Sequence, residues 1–160
     1  MASSDLDDRA LALGRIPSGL FVVTTLRDER AVGFVGSFVM QMGFAPPTVA
    51  IAVGKERGYL ADLRRTGRFT LSILDKSSMR VMKPFMKPPS DGSSPFDGFA
   101  VAETNVGVPA LSDSLAWIAC RIAGEYSTPD HIVVFGEVVD GKLVREGDPS
   151  VHLRKNGLGY

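Results

Sequence analysis

The stretch VGSFVMQMGFAPP, residues 35–47, is apolar enough for a buried strand, yet it carries Gly36, Ser37 and Gln41 and stops at two prolines. Glycine inside a strand lets a ligand or another backbone approach closely. Ser37 offers a rotatable hydroxyl and Gln41 an amide that both donates and accepts. Such a set suits a flat aromatic ring laid along the strand, with backbone N–H and C=O groups meeting its polar edge. It suits equally a curved barrel strand whose glycines relieve a bend, and composition leaves the two readings level. A second set follows in VGKERGYLADL (53–63), where a strand end, the cations Lys55 and Arg57 and a helix start coincide. Free N–H groups, the helix dipole and two cations together favour a phosphate, against the plainer reading of solvated loop charges. In TPDHIVVFGEVVDG (128–141), His131 stands before an apolar strand, where an imidazole can bond an amide or carry a proton, or simply cap the strand. The C-terminal VHLRKNGLGY clusters His152, Arg154 and Lys155, a tail that either frays or folds back onto an anion.

Other common chemistry is missing. No GxGxxG follows a first strand, no GxxxxGK[ST] or GxSxG occurs, and His131 and His152 have no HExxH or cysteine partner for zinc.

The elements that must position these residues read mainly as strands: 20–26, 31–40, 48–54, 68–74, 115–126 and 131–141, each rich in β-branched and aromatic residues between turn formers. Their spacing favours a barrel or sandwich. RDER (27–30) is a loop of hairpin length, and the second run must end before Pro46 and Pro47, which lack an N–H for the ladder. Short helices are expected at 6–13, at 58–67 with Gly67 as the stop, and in SSMRVMKPFM up to Pro84, which should break it. Residues 84–98 contain four prolines and read as a long loop, and residues 1–10 as a flexible extension.

A chain of 160 residues fits one domain, here 1–160, burying roughly 70% of its unfolded surface. Its 18 basic and 18 acidic residues cancel, so no global positive field draws nucleic acid. The lone Cys120 excludes an intrachain disulfide and fits a reducing, cytoplasmic compartment. No run of 18 apolar residues proposes a membrane span.

Taken together, LGRIPSGLFVVTT (13–25), GFVGSFVMQMGFAPPTVAIAVGKER (33–57), MKPF (82–85), FDGFAVAETNVGVPALSDSLAWIACRI (96–122), DHIVVFGEVVDGKLV (130–144) and HLRKNGLGY (152–160) resemble the flavin reductase family with the FMN-binding split-barrel fold. The likeness is closest to the C-terminal flavin reductase-like module of cyanobacterial diflavin (flavodiiron) proteins and spans roughly residues 11–160. It implies a six-stranded antiparallel Greek-key split β-barrel with a few short helices, forming a homodimer with FMN, or FAD, near the interface. By the same resemblance Gly36, Ser37, Phe38, Val39, Met40 and Gln41 line the ring, and Lys55 and Arg57 hold the phosphate beside Tyr59. Pro17 and Ser18 turn by the flavin, His131 stands where nicotinamide enters as the one catalytic candidate, and Arg154 and Lys155 close from the tail. Phe38 replaces the Trp common in these modules, and Met40 a small polar residue or Gln, giving a more apolar wall. The implied activity is hydride transfer from NADH or NADPH to flavin. The alternative is a non-catalytic FMN-binding module reduced by a protein partner, with an electron-acceptor protein beyond it; a barrel for haem or a B6 phosphate fits the motif order less well.

Overall fold

The computed structural model describes residues 7–87 and 89–159. Helix α1 (Asp8–Leu13) leads into β1 (Phe21–Arg27) and β2 (Arg30–Gly36), joined by a turn in which Asp28 and Glu29 both take positive φ, as a tight right-twisted hairpin requires. Next come β3 (Val39–Phe44) and β4 (Pro47–Gly54), a 3-10 turn over Lys55–Arg57, α2 (Leu60–Thr66) and β5 (Arg68–Ile73). A second 3-10 turn, Lys76–Val81, runs into α3 (Lys83–Met86). The short ribbon of β6 (Val101–Ala102) and β7 (Ala110–Leu111) precedes the long hairpin of β8 (Ala116–Ser127) and β9 (His131–Leu143).

Seven strands form one antiparallel sheet in the order β2-β1-β5-β8-β9-β4-β3. One apolar core joins both ends of that order: Phe34 of β2 and Ile51 and Val53 of β4 pack with Phe69 of β5, Cys120 of β8 and Val134 of β9, and Val39 of β3 packs against them. A sheet whose two ends share a core is curled on itself, and shifts of register between Ala119 and Cys120 and between Ile122 and Gly124 supply bends in β8. Helix α2 closes the core with Leu60 and Leu63, and buried Asp62 bridges Arg27 and Arg65 at 2.7 and 2.8 Å. Each large apolar side chain removed from water here contributes about 1.5–3 kcal/mol. The barrel is open between β2 and β3, where the chain crosses at Ser37 and Phe38, and Arg57 clasps the gap by donating from Nη1 to Val35 O at 3.1 Å.

The mainly β, antiparallel reading holds; the strand count does not. The run 31–40 is two strands, because Ser37 and Phe38 fall outside both, Phe38 keeping only the bond its O accepts from Ala52 N at 2.9 Å, and β6 and β7 add a ribbon outside the main sheet. Strand β3 ends at Phe44 ahead of the prolines, while Pro47 opens β4, a position that needs no ladder donor. Pro84 does not end a helix but sits in the first turn of α3, where its missing N–H costs nothing. The expected loop from 84 is therefore helical to Met86, and it is pinned further on by buried Phe96, whose ring meets that of Phe85 at 4.8 Å. At the N-terminus, Asp8–Leu13 is helical with Ala10 buried, and residues 1–6 lie outside the described residues. Among the described residues no helix is long and apolar enough to cross a membrane.

Candidate functional site

Three adjoining cavities surround the crossover at Ser37 and Phe38. The first, about 520 Å³, is walled by Pro17, Ser18, Ser37, Phe38, Val39, Met40 and Arg154, and by Leu13, Ile16, Ala50, Ala52, Val133 and Gly157. The second, about 310 Å³, lies across Ser37 between Leu20, Val35, Arg57, His152 and the methionines Met79, Met82 and Met86. The third, about 380 Å³, lies across Phe38 and is formed by Asp130, His131, Gly157, Leu158 and Gly159.

The first cavity exists because the tail folds back. Ser18 and His152 exchange backbone hydrogen bonds of 3.0 and 2.7 Å, and Ser150 N donates to Leu74 O at 2.9 Å. This strap brings Arg154 to the crossover, where Nη2 donates to Ser37 Oγ at 2.7 Å and the guanidinium lies 4.1 Å over the Phe38 ring. Arg154 is 6% exposed. Gly157 holds a positive φ of 67° against Leu13 and Gly14, a position closed to any side chain: a Cβ there would lie 2.7 Å from Gly14 N and collide with Leu13 Cβ.

In the third cavity, the His131 Nδ1 donates to Asp130 Oδ1 at 2.9 Å, and the ring meets Phe38 edge-on at 5.5 Å between centroids. That hydrogen bond is the main cause holding the Asp130 carboxyl below the ordinary carboxylate range. In the second cavity, Arg57 lies 5.0 Å over the Phe34 ring.

The expected residues separate accordingly. Pro17, Ser18, Ser37, Phe38, Val39, Met40 and Arg154 converge on one cavity, Arg57 lines the second and His131 the third. Gly36 lies outside all three linings: its absent Cβ would point at Val23 Cγ2, 3.2 Å away in the core, so packing accounts for this glycine. Gln41 is exposed and turns Nε2 to Gly43 O at 3.2 Å. Lys55 does not join Arg57; its Nζ donates to Thr128 O and Pro129 O at 2.6 and 3.1 Å, bracing the turn before His131. Tyr59 packs its ring 4.6 Å from that of Phe34, and burial pushes its phenol up from the ordinary value. Lys155 is exposed on the strap.

Sequence reasoning missed the methionine wall. Its signal was present: Met79, Met82 and Met86 recur at spacings of three and four, the period of one helical face. Cys120, fully buried, has its thiol pushed up to about 12 by desolvation and is no nucleophile.

Residues 13–157 match the family described as flavin reductase like domain. Diflavin flavoprotein A 1 of Synechocystis sp. is 34% identical over 159 residues, covering 98% of this chain. The chain spans only 27% of that relative's length. Among solved structures, nitrilotriacetate monooxygenase component B from Mycobacterium thermoresistibile superposes with a TM-score of 0.82 at 26% identity, covering 93% of this chain and 82% of that one. Flavin reductase PheA2 in its native state superposes with a TM-score of 0.80 at 25% identity, covering 92% and 94%.

Proposed function

The chain belongs to the flavin reductase like domain family, and on that premise we propose that it is an oxidoreductase that binds FMN along residues 37–40 and reduces it with NADH or NADPH. The observation that carries the reading is the convergence of Pro17, Ser18, Ser37, Phe38, Val39, Met40 and Arg154 on a single cavity of about 520 Å³. The residues present fit a flavin. Phe38 and Met40 give a flat apolar wall. Ser18 Oγ and Arg154 Nε, both in residues of that wall, are two of the three buried side-chain polar atoms without a hydrogen-bond partner among the described residues.

When bound, flavin would supply a ring nitrogen that accepts the hydride released from nicotinamide C4. The chain's part is position and field. Phe38 separates the ring cavity from the cavity of His131, which we assign to the nicotinamide. Asp130 fixes the imidazole tautomer with the proton on Nδ1. Arg57, beside Ser37 in the methionine-lined cavity, is the cation assigned to the phosphate. Along edge strand β3, Met40, Met42 and Phe44 are 62%, 49% and 86% exposed, an apolar stripe that a second copy of the chain would cover in a homodimer. A single buried Cys120 fits a reducing, cytoplasmic setting.

A second reading has its own support. Because the chain corresponds to about a quarter of a longer diflavin protein, an electron-carrying module fed by a protein partner is also consistent with its cavities. Consumption of NADH and NADPH, followed with and without added FMN, decides between them. Flavin-dependent consumption of either donor is expected; tight FMN binding with no consumption of either leaves the carrier reading, and no FMN binding overturns both.

A further inference from the structure

Arg154 poses a problem of charge. Buried cations in proteins are paired, because an uncompensated charge taken out of water costs far more than a surface one. Here Arg154 is 6% exposed, and among the described residues its guanidinium donates to one neutral hydroxyl, lies over one aromatic face and has Nε without a partner. No ion pair among the described residues involves it. Asp130, the acid lining the neighbouring cavity, is bonded to His131. The second unsatisfied atom of the same wall, Ser18 Oγ, belongs to the residue that docks the strap by its backbone. A strap held by backbone bonds has therefore carried a positive charge into a cavity wall whose described residues offer it no negative one.

We infer that Arg154 is the counter-charge for the reduced, anionic form of the flavin, so that the site binds reduced flavin more tightly than oxidised. This rests on the flavin reading above and goes beyond it by assigning a redox-state preference to one side chain. Reduction adds two electrons and one proton when the ring becomes anionic, and the extra charge gathers at the N1 side of the ring. A fixed cation in a water-poor wall stabilises that state and leaves the neutral oxidised ring nearly unaffected. Phosphate is the competing anion, but Arg154 lies over Phe38 in the ring cavity, whereas Arg57 stands in the methionine-lined one.

The test is anaerobic titration of the protein with oxidised FMN and with photoreduced FMN, for the wild type, Arg154→Gln and Arg154→Lys. The wild type binds reduced FMN more tightly than oxidised. In Arg154→Gln the reduced-state affinity falls at least about tenfold more than the oxidised-state affinity, which for a two-electron couple lowers the bound midpoint by about 30 mV. Arg154→Lys retains most of the difference. The ligand-free melting temperature of Arg154→Gln stays at or above the wild-type value, because an unpaired buried charge has been removed. Equal weakening of both redox states overturns the inference. If that loss is larger for FMN than for riboflavin, Arg154 reads phosphate; if it comes with a large fall in melting temperature, the residue is structural. Should the glutamine variant fail to fold, the wild type alone decides: oxidised FMN bound as tightly as reduced contradicts the proposal. A wild type that binds neither form overturns the flavin reading and this inference with it.

Discussion

Arg57→Gln is the sharpest probe of how the two cavities beside Ser37 divide a ligand. Arg57 spends Nη1 on Val35 O at 3.1 Å and lies over Phe34, so its head is held at the gap between β2 and β3 while the side chain walls the methionine-lined cavity. A phosphate there gains a charge-assisted hydrogen bond, worth about 1.5–3 kcal/mol when one partner is ionised. At 1.4 kcal/mol per decade that is about 10- to 150-fold in Kd, and the half-exposed setting of Arg57 places the expected loss near the lower end. Glutamine keeps a donor for Val35 O but no charge, so the crossover survives. Riboflavin, which lacks the phosphate, should lose less than about threefold. Fluorescence quenching titrations of FMN and riboflavin at low and high salt measure both, and the FMN-specific loss should shrink as salt screens the contact. Equal losses for the two ligands would refute the assignment of phosphate to this cavity.

Two further outcomes follow from the same geometry. Gly157→Ala forces an L residue into the left-handed region, at about 1–2 kcal/mol, and drives its Cβ into Leu13. The strap should release, exposing the bond after Arg154 to trypsin in the native state; unchanged protection there would contradict the docking described. Asp75 is gripped by Arg145 through Nε to Oδ2 at 2.9 Å and Nη2 to Oδ1 at 2.8 Å, and this arginine is the main cause of a carboxyl held far below its ordinary range. A depressed folded-state pKa stabilises the fold above the unfolded value near 3.9, and that contribution is lost as pH falls below it. Melting temperature should therefore drop more steeply between about pH 5 and pH 2.5 in the wild type than in Arg145→Gln; parallel curves would refute the linkage.

Much of the barrel is legible in the sequence because its strands are local statements. The β-branched and aromatic runs at 20–26, 68–74 and 131–141 lie within a residue or two of β1, β5 and β9. The break at Ser37 and Phe38 is not a local statement: Ser37 meets Arg154, 117 positions away, and nothing in VGSFVM announces that partner. That Lys55 and Arg57 part company is hidden for a different reason. They are two apart on a 3-10 turn, so they point to different sides, one to the turn at 128–129 and the other to β2. Gly36, read for ligand access or bending, is explained by Val23 behind it, a contact between paired strands that no single-strand reading contains. The tail is the largest gain from structure. Its composition fits fraying and folding back alike, and only the backbone pairing of His152 with Ser18 makes it a wall.

The proposed ring site lies against residues 37–40 under the strap. Soaking crystals of the protein with FMN and computing the difference density tests it directly. A flat ring beside Ser37, Phe38 and Met40, with Arg154 at its edge, is expected. Ring density elsewhere, for instance in the separate groove of about 520 Å³ between Arg30 and Ser93, would contradict it.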